Sequence, residues 1–158
     1  MPKISGLVHI CNHDLHLGRA LESLRPCDEL LVVDHGCKEE SLRIAREHGA
    51  RIVKGVQGVD HGAYAQDARN DWILCLQPSE SLAEDLEASL LEWKESEPAP
   101  ELLGYNICIR EQNGTHWKVL PAELRLANRC KINWTGDCPP ETPDAPSLPG
   151  HILRIPDE

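Results

Sequence analysis

A chain of 158 residues is long enough for one domain with a buried core. Its formal net charge of −10, from 16 basic and 26 acidic residues, argues against nucleic acid or an anionic membrane surface as the main partner. No run of about 18 apolar residues occurs, which excludes a spanning helix, and Met1-Pro2-Lys3-Ile4 leads into a strand with no signal-peptide pattern, so a cytoplasmic protein is expected. The seven cysteines, odd in number and without a CxxC spacing, are expected to be mostly reduced, several of them buried. Phe is absent, so Leu, Ile, Val and Ala must build the core, with four Trp as large anchors.

In chain order, Ile4 to Ile10 reads as a strand ending in the polar turn Asn12-His13-Asp14. Leu15 to Leu24 carries Leu17, Ala20, Leu21 and Leu24 at helical spacing, with Asp14 as its cap. The run Glu29-Leu30-Leu31-Val32-Val33-Asp34-His35-Gly36 predicts a strand buried on both faces, closed by an acid and a glycine. Lys38 to His48 predicts a helix with Leu42 and Ala45 inward and Gly49 as its stop. A short strand at Ala50 to Lys54, a glycine-bearing loop from Gly55 to Gly62 and a short helix at Ala63 to Arg69 follow. Trp72 to Leu76 is the fourth strand, Gln77-Pro78-Ser79-Glu80 a turn, and Leu82, Leu86, Leu90 and Trp93 mark one face of a helix.

Past the linker at Glu95 to Pro100 the pattern becomes strand-like: Tyr105 to Arg110, Trp117 to Leu120, Leu124 to Ala127 and Ile132 to Trp134, with Asn113-Gly114 as a hairpin signal. The last 22 residues hold six prolines and predict an irregular tail with one short strand at Ile152 to Ile155. The expected fold is α/β, a mostly parallel sheet with helices on both faces, then a mostly β C-terminal part. One domain is expected over 1–136, with a nucleotide-binding β/α half at 1–95, a β-rich acceptor-side half at 101–136, and a Pro-rich tail at 137–158. No GxGxxG follows the first strand, and no P-loop motif occurs.

An acid at the carboxyl end of a parallel strand stands where open α/β sheets bind ligands, which makes Asp34 the first candidate for ligand contact; the plainer reading is a cap on the following helix. Asn12 also stands at a strand end, as a ligand contact or a turn residue.

The order and spacing of Asn12, Leu17 to Leu24, Asp28 to Asp34, Gly36, Trp72-Ile73-Leu74, then Leu124-Arg125-Leu126, Trp134, Gly136 and Pro140-Glu141 resembles the family 2 glycosyltransferases of GT-A fold. The likeness is closest to those that add sugars to lipopolysaccharide core, and covers about residues 3 to 141. It implies a nucleotide-diphosphate sugar as donor and a carbohydrate acceptor. Asn12, Asp34, Gly36, Glu39 and His61 would fall on the nucleotide side, Ser79 and Glu80 on the metal or diphosphate, and Glu141 on the catalytic base. A leaving diphosphate needs its charge neutralised and a hydroxyl nucleophile needs a proton acceptor.

The departures fall on polar positions. The family's D-A-D-E metal motif is Gln77-Pro78-Ser79-Glu80, so both aspartates are gone, and neutral Gln and Ser are poor ligands for Mg2+ or Mn2+. Glu80 then has two readings, a metal ligand or a helix cap. The family's basic-Asn pair is His61-Gly62, where His61 could neutralise a phosphate. His9, Cys11, His13 and His16 form a second metal-type grouping, with His9 and Cys11 on one face of the strand. Cys37 beside Lys38 is either an activated thiol or an inert one. Two functions therefore stand: a glycosyltransferase-like protein, or an inactive homologue serving as a binding or assembly module, with a protein partner. A generic nucleotide-binding α/β domain is a third.

Overall fold

The computed structural model describes residues 1–11, 15–140 and 142–156. A single eight-stranded sheet runs in the order β3-β2-β1-β4-β7-β6-β8-β5. Its first half is parallel: β1 (Ile4–Ile10) lies between β2 (Glu29–Asp34) and β4 (Trp72–Cys75), with β3 (Arg51–Lys54) outside β2. Then β7 (His116–Asn128) pairs antiparallel to β4 and to β6 (Gly104–Asn113). The sheet closes with β8 (Ser147–Arg154), parallel to β6, and β5 (Glu80–Leu82), antiparallel to β8. The α/β class expected from the sequence is the fold observed.

Period-two alternation sorts β1 and β2 onto two cores. Ile4, Val8, Ile10 and Val32 enter one apolar cluster, with α1 (Leu17–Ser23), α2 (Glu39–Glu47) and α3 (Glu84–Trp93). Leu7, Leu31 and Val33 enter the other, with Tyr64, Ala65 and Trp134. All three α-helices thus cover one face, rather than both. The opposite face is covered by a 3-10 helical segment, His61–Asp67, in a β3–β4 connection broken by Gly55, Gly58 and Gly62. With no Phe, Trp72, Trp93 and Tyr105 form the aromatic centre of the first core, their ring centroids 5.0–5.9 Å apart. Trp134 anchors the second core, whereas Trp117 is exposed.

Several elements differ from expectation, among them β5, which stands where a turn and the start of a helix were expected. The first helix begins at Leu17, and Leu15 is exposed; the Asp14 cap lies outside the described residues. The runs at Trp117 to Leu120 and Leu124 to Ala127 form one strand that passes through Pro121. The register steps from Ile109↔Leu120 to Ile107↔Glu123, so the proline sits in an irregularity where no ladder donor is needed. Ile132 to Trp134 is not a strand: the Lys131 and Ile132 N–H groups both donate to the Asn128 carbonyl, turning the chain.

The 137–158 segment is not an irregular tail, since Ser147–Arg154 is an eight-residue strand inside the sheet. Pro149 and Gly150 occupy a register shift opposite Ile107 and Cys108. Gly150 has φ +111°, and a Cβ there would lie 2.4 Å from the Leu86 Cα, so only glycine lets α3 approach β8.

Candidate functional site

The carboxyl ends of β1 and β2 gather three imidazoles. His9 is on the same face of β1 as Leu7, and is paired in register with Val33. His35 follows β2 directly, and His61 opens the 3-10 segment on that face. His9 Nδ1 and His35 Nε2 lie 2.9 Å apart, within hydrogen-bond reach, one donating according to tautomer. The rings stack, with centroids 4.1 Å apart for His35–His61 and 4.8 Å for His9–His61. Tyr64 meets both His9 and His35 edge-on, and its hydroxyl accepts the Val56 N–H at 2.6 Å.

Two glycines make this gathering possible. A Cβ on Gly55 would stand 2.5 Å from His35 Nδ1, and one on Gly62 would stand 1.7 Å from the Trp134 carbonyl oxygen. The second close approach brings the 134–137 segment over the 3-10 turn, where Asp137 accepts a hydrogen bond from His61 Nδ1. A cavity of about 330 Å³ opens beside it, between Gly62 and Gln66 on one side and Ile132, Trp134 and Thr135 on the other.

His9 is buried, and burial lowers its pKa to about 4; Asp137 raises it in part, while His61 and His35 lower it further. Burial also lowers His35, and His61 adds to that, against Asp137 and Asp34. Both rings are therefore held toward the neutral form. His9 Nε2 is buried with no hydrogen-bond partner, a costly state for a polar atom.

Asp34 lies at the end of β2 but, by alternation, toward the opposite face. Its Oδ1 accepts the N–H groups of Gly36 at 3.0 Å and Cys37 at 2.7 Å. Burial pushes its carboxyl up, and those Cys37 and Gly36 bonds with Lys54 outweigh it, leaving the pKa below the usual range. It closes the turn and leaves the helix uncapped: Lys38 is the N-cap of α2 and makes no side-chain cap bond. Gly36 makes that turn with φ +91°. Glu39 is exposed and pairs with Arg46 along α2 at 2.7 Å, turned to its own helix. Ser79 is half-buried, and its carbonyl accepts the Ile155 N–H at 2.9 Å. Asn12, His13 and Glu141 lie outside the described residues.

Glu80 neither faces a ligand nor caps a helix. It is fully buried as the first residue of β5. Its Oε1 accepts from Arg125 Nη1 at 2.6 Å and the Gln77 N–H at 2.8 Å; its Oε2 accepts from Arg125 Nη2 at 2.9 Å and Arg154 Nε at 3.0 Å. Burial raises its carboxyl, and the paired Arg125 overrides this, so Glu80 stays ionised. Burial likewise disfavours the Arg125 charge, and Glu80 outweighs it. With its oxygens committed to two guanidinium groups and Gln77 and Ser79 neutral, this corner does not fit a hard divalent cation. The retained pieces of the resemblance, Glu80 and the Leu124-Arg125-Leu126 run, are partners in one structural ion pair.

Sequence reasoning missed His35 and Asp137; it grouped His9 with Cys11, His13 and His16, whereas the structure also brings His35 and His61 to it. Cys11 is exposed, and its thiol lies 3.5 Å from the His35 carbonyl oxygen. The available signal was alternation: His9 and His35 both extend the odd-numbered face that Leu7, Leu31 and Val33 define.

The arrangement is that of an open α/β sheet with a polar site beyond the carboxyl ends of its parallel strands, the ligand-binding class of such folds. No family model matches the chain. An uncharacterized glycosyltransferase of Rickettsia typhi is 33% identical over 91 residues, which cover 55% of this chain and 31% of that protein. One from Rickettsia bellii is 29% identical over 123 residues, 74% of this chain and 42% of its own length. The chain therefore spans less than half the length of these curated relatives. Among solved structures, a mycobacterial protein superposes with TM-score 0.61 and 14% identity, over 98% of this chain and 65% of its own; that likeness is one of fold.

Proposed function

We propose that this chain is the donor-binding part of a glycosyltransferase of GT-A type, similar to family 2, that takes a nucleotide-diphosphate sugar and passes the sugar to a carbohydrate acceptor. The observation that supports this is the strand-end site: His35 and His61 meet beyond the carboxyl ends of β1 and β2, with Asp34 and Gly36 at the end of β2, in a chain similar to rickettsial glycosyltransferases over 55% of its length. In this reading the 1–95 half holds the nucleotide through Asn12, Asp34, Gly36, Glu39 and His61. The 101–136 half faces the acceptor, with Ser79 near the diphosphate. Glu141 is the proposed base on the resemblance alone, and the cytoplasm is the proposed compartment. His61, oriented by Asp137, stands on the diphosphate side in this reading, where the missing aspartates would otherwise hold a metal.

The test is thermal melting with UDP, GDP and their common sugars, each with and without Mn2+. A shift with one nucleotide that is independent of Mn2+ and reduced in His61→Ala supports the reading. Absence of a shift with every donor overturns it. One observation favours the second reading, an inactive homologue that acts as a binding or assembly module: Glu80 is locked in its arginine pair rather than open to a metal. Donor hydrolysis or sugar transfer by the pure protein would dispose of that alternative.

A further inference from the structure

We infer that His9, His35 and His61 form a binding site for one divalent transition-metal ion of the Zn2+ class, with Asp137 orienting His61. Among the described residues this is the one group of three metal-type side chains drawn together, its ligand atoms all within 4.8 Å of one another. The inference does not depend on the nucleotide-sugar reading.

Each ring has a nitrogen to offer. Asp137 holds His61 through Nδ1, which leaves Nε2 for an ion. A carboxylate on the far nitrogen of a ligating histidine is the usual outer partner that fixes ring orientation. His35 Nδ1 is packed against Gly55, so its Nε2 is the inward atom, and it already faces His9 at 2.9 Å. His9 is buried, with one nitrogen toward His35 and the other lacking any hydrogen-bond partner. Nitrogens bound to Zn2+ at 2.0–2.1 Å in a tetrahedron stand about 3.3 Å apart. Binding an ion would therefore draw ligand atoms now within 4.8 Å of one another closer together and turn the stacked rings toward a common point.

The donor set chooses the metal. Three imidazoles without a carboxylate among them suit zinc, cobalt, nickel or copper, and suit magnesium and manganese poorly. His9 is enclosed, but His61 is partly exposed, with a side chain 42% accessible. Three protein ligands with one side toward solvent leave a fourth position open, the arrangement of catalytic rather than structural zinc sites. That position would take water or an anionic oxygen.

The experiment uses the full chain, freed of metal by chelation and kept reduced, titrated with Co2+ and Zn2+ by visible absorption and calorimetry. The expected result is one ion per chain, with the d–d bands of four-coordinate Co2+ and no thiolate charge-transfer band. His35→Ala and His61→Ala should each weaken binding at least about tenfold, and Asp137→Asn about 10–100-fold. His151→Ala, whose imidazole pairs with Asp85 elsewhere, should leave it unchanged. Cys11→Ser should also leave it unchanged. Absence of binding overturns the inference. So does binding that survives both histidine variants, or that is lost only with Cys11, since a thiol site would then account for the ion.

Discussion

Two polar clusters stand near one end of the same sheet and are built on opposite terms. Around Glu80, Arg125 and Arg154 every carboxylate oxygen is engaged and the two central side chains are fully buried. Around His9, His35 and His61 one buried nitrogen lacks a partner and one ring stays partly exposed. The first cluster is closed, and joins β5, β7 and β8 across the C-terminal half of the sheet. The second is open, at the edge where parallel strands present ligand sites. A charge that is sealed and paired serves the fold; rings gathered around an unpartnered buried nitrogen are what the metal inference rests on.

The largest effect is expected at the closed cluster. Glu80→Ala should lose about 3–5 kcal/mol in urea unfolding, because Arg125 would remain buried without its counter-charge. A loss below about 1 kcal/mol would mean that water reaches the arginine and the cluster is not sealed.

A pH series of the metal-free protein sharpens the contrast next. The pKa of His9 lies near 4 in the folded chain against 6.5 in the unfolded one, so the unfolded state binds more protons between those values. Stability should be full above about pH 6.5 and fall toward pH 4, by about 3 kcal/mol in all. His9→Gln should remove this component, and an unchanged pH profile in that variant would show that His9 is not the group responsible.

Gly62→Ala tests the packing that assembles the open cluster. A Cβ would run into the Trp134 carbonyl, so a loss of about 1–3 kcal/mol is expected, together with weakened Co2+ binding. Wild-type stability in that variant would refute the close approach. The smallest stability effect is expected from His61→Ala, within about 0.5 kcal/mol, since its pair with Asp137 is exposed. That near-neutral stability beside a large loss of metal would distinguish a ligand from a structural residue.

The parallel half was legible because it rests on local signals. β1, α1, β2, α2, β3 and β4 follow from apolar periodicity and glycine stops, and their bounds moved by no more than two residues. The C-terminal part was less legible because proline misleads. Pro121 and Pro149 read as breakers, yet each lies at a register irregularity that needs no N–H.

Asp34 was singled out by its position at a strand end, a rule that depends on sequence order alone. Its carboxylate, however, closes the turn with Gly36 and Cys37. Glu80 was misread for a physical reason. A carboxylate in a polar turn looks solvent-facing until the arginines that seal it arrive from 45 and 74 residues away. The histidine cluster was invisible for the same reason: His9, His35, His61 and Asp137 share no local spacing, and only strand register and the close approach at Gly62 bring them together.

Short-range periodicity, decided by backbone geometry and side-chain polarity, was enough to determine the class of fold and the strand ends at which Asp34 and His35 stand. Which polar residues are sealed and which are left open is decided by long-range packing. That packing sets how much water each group retains, and no single stretch of sequence contains it.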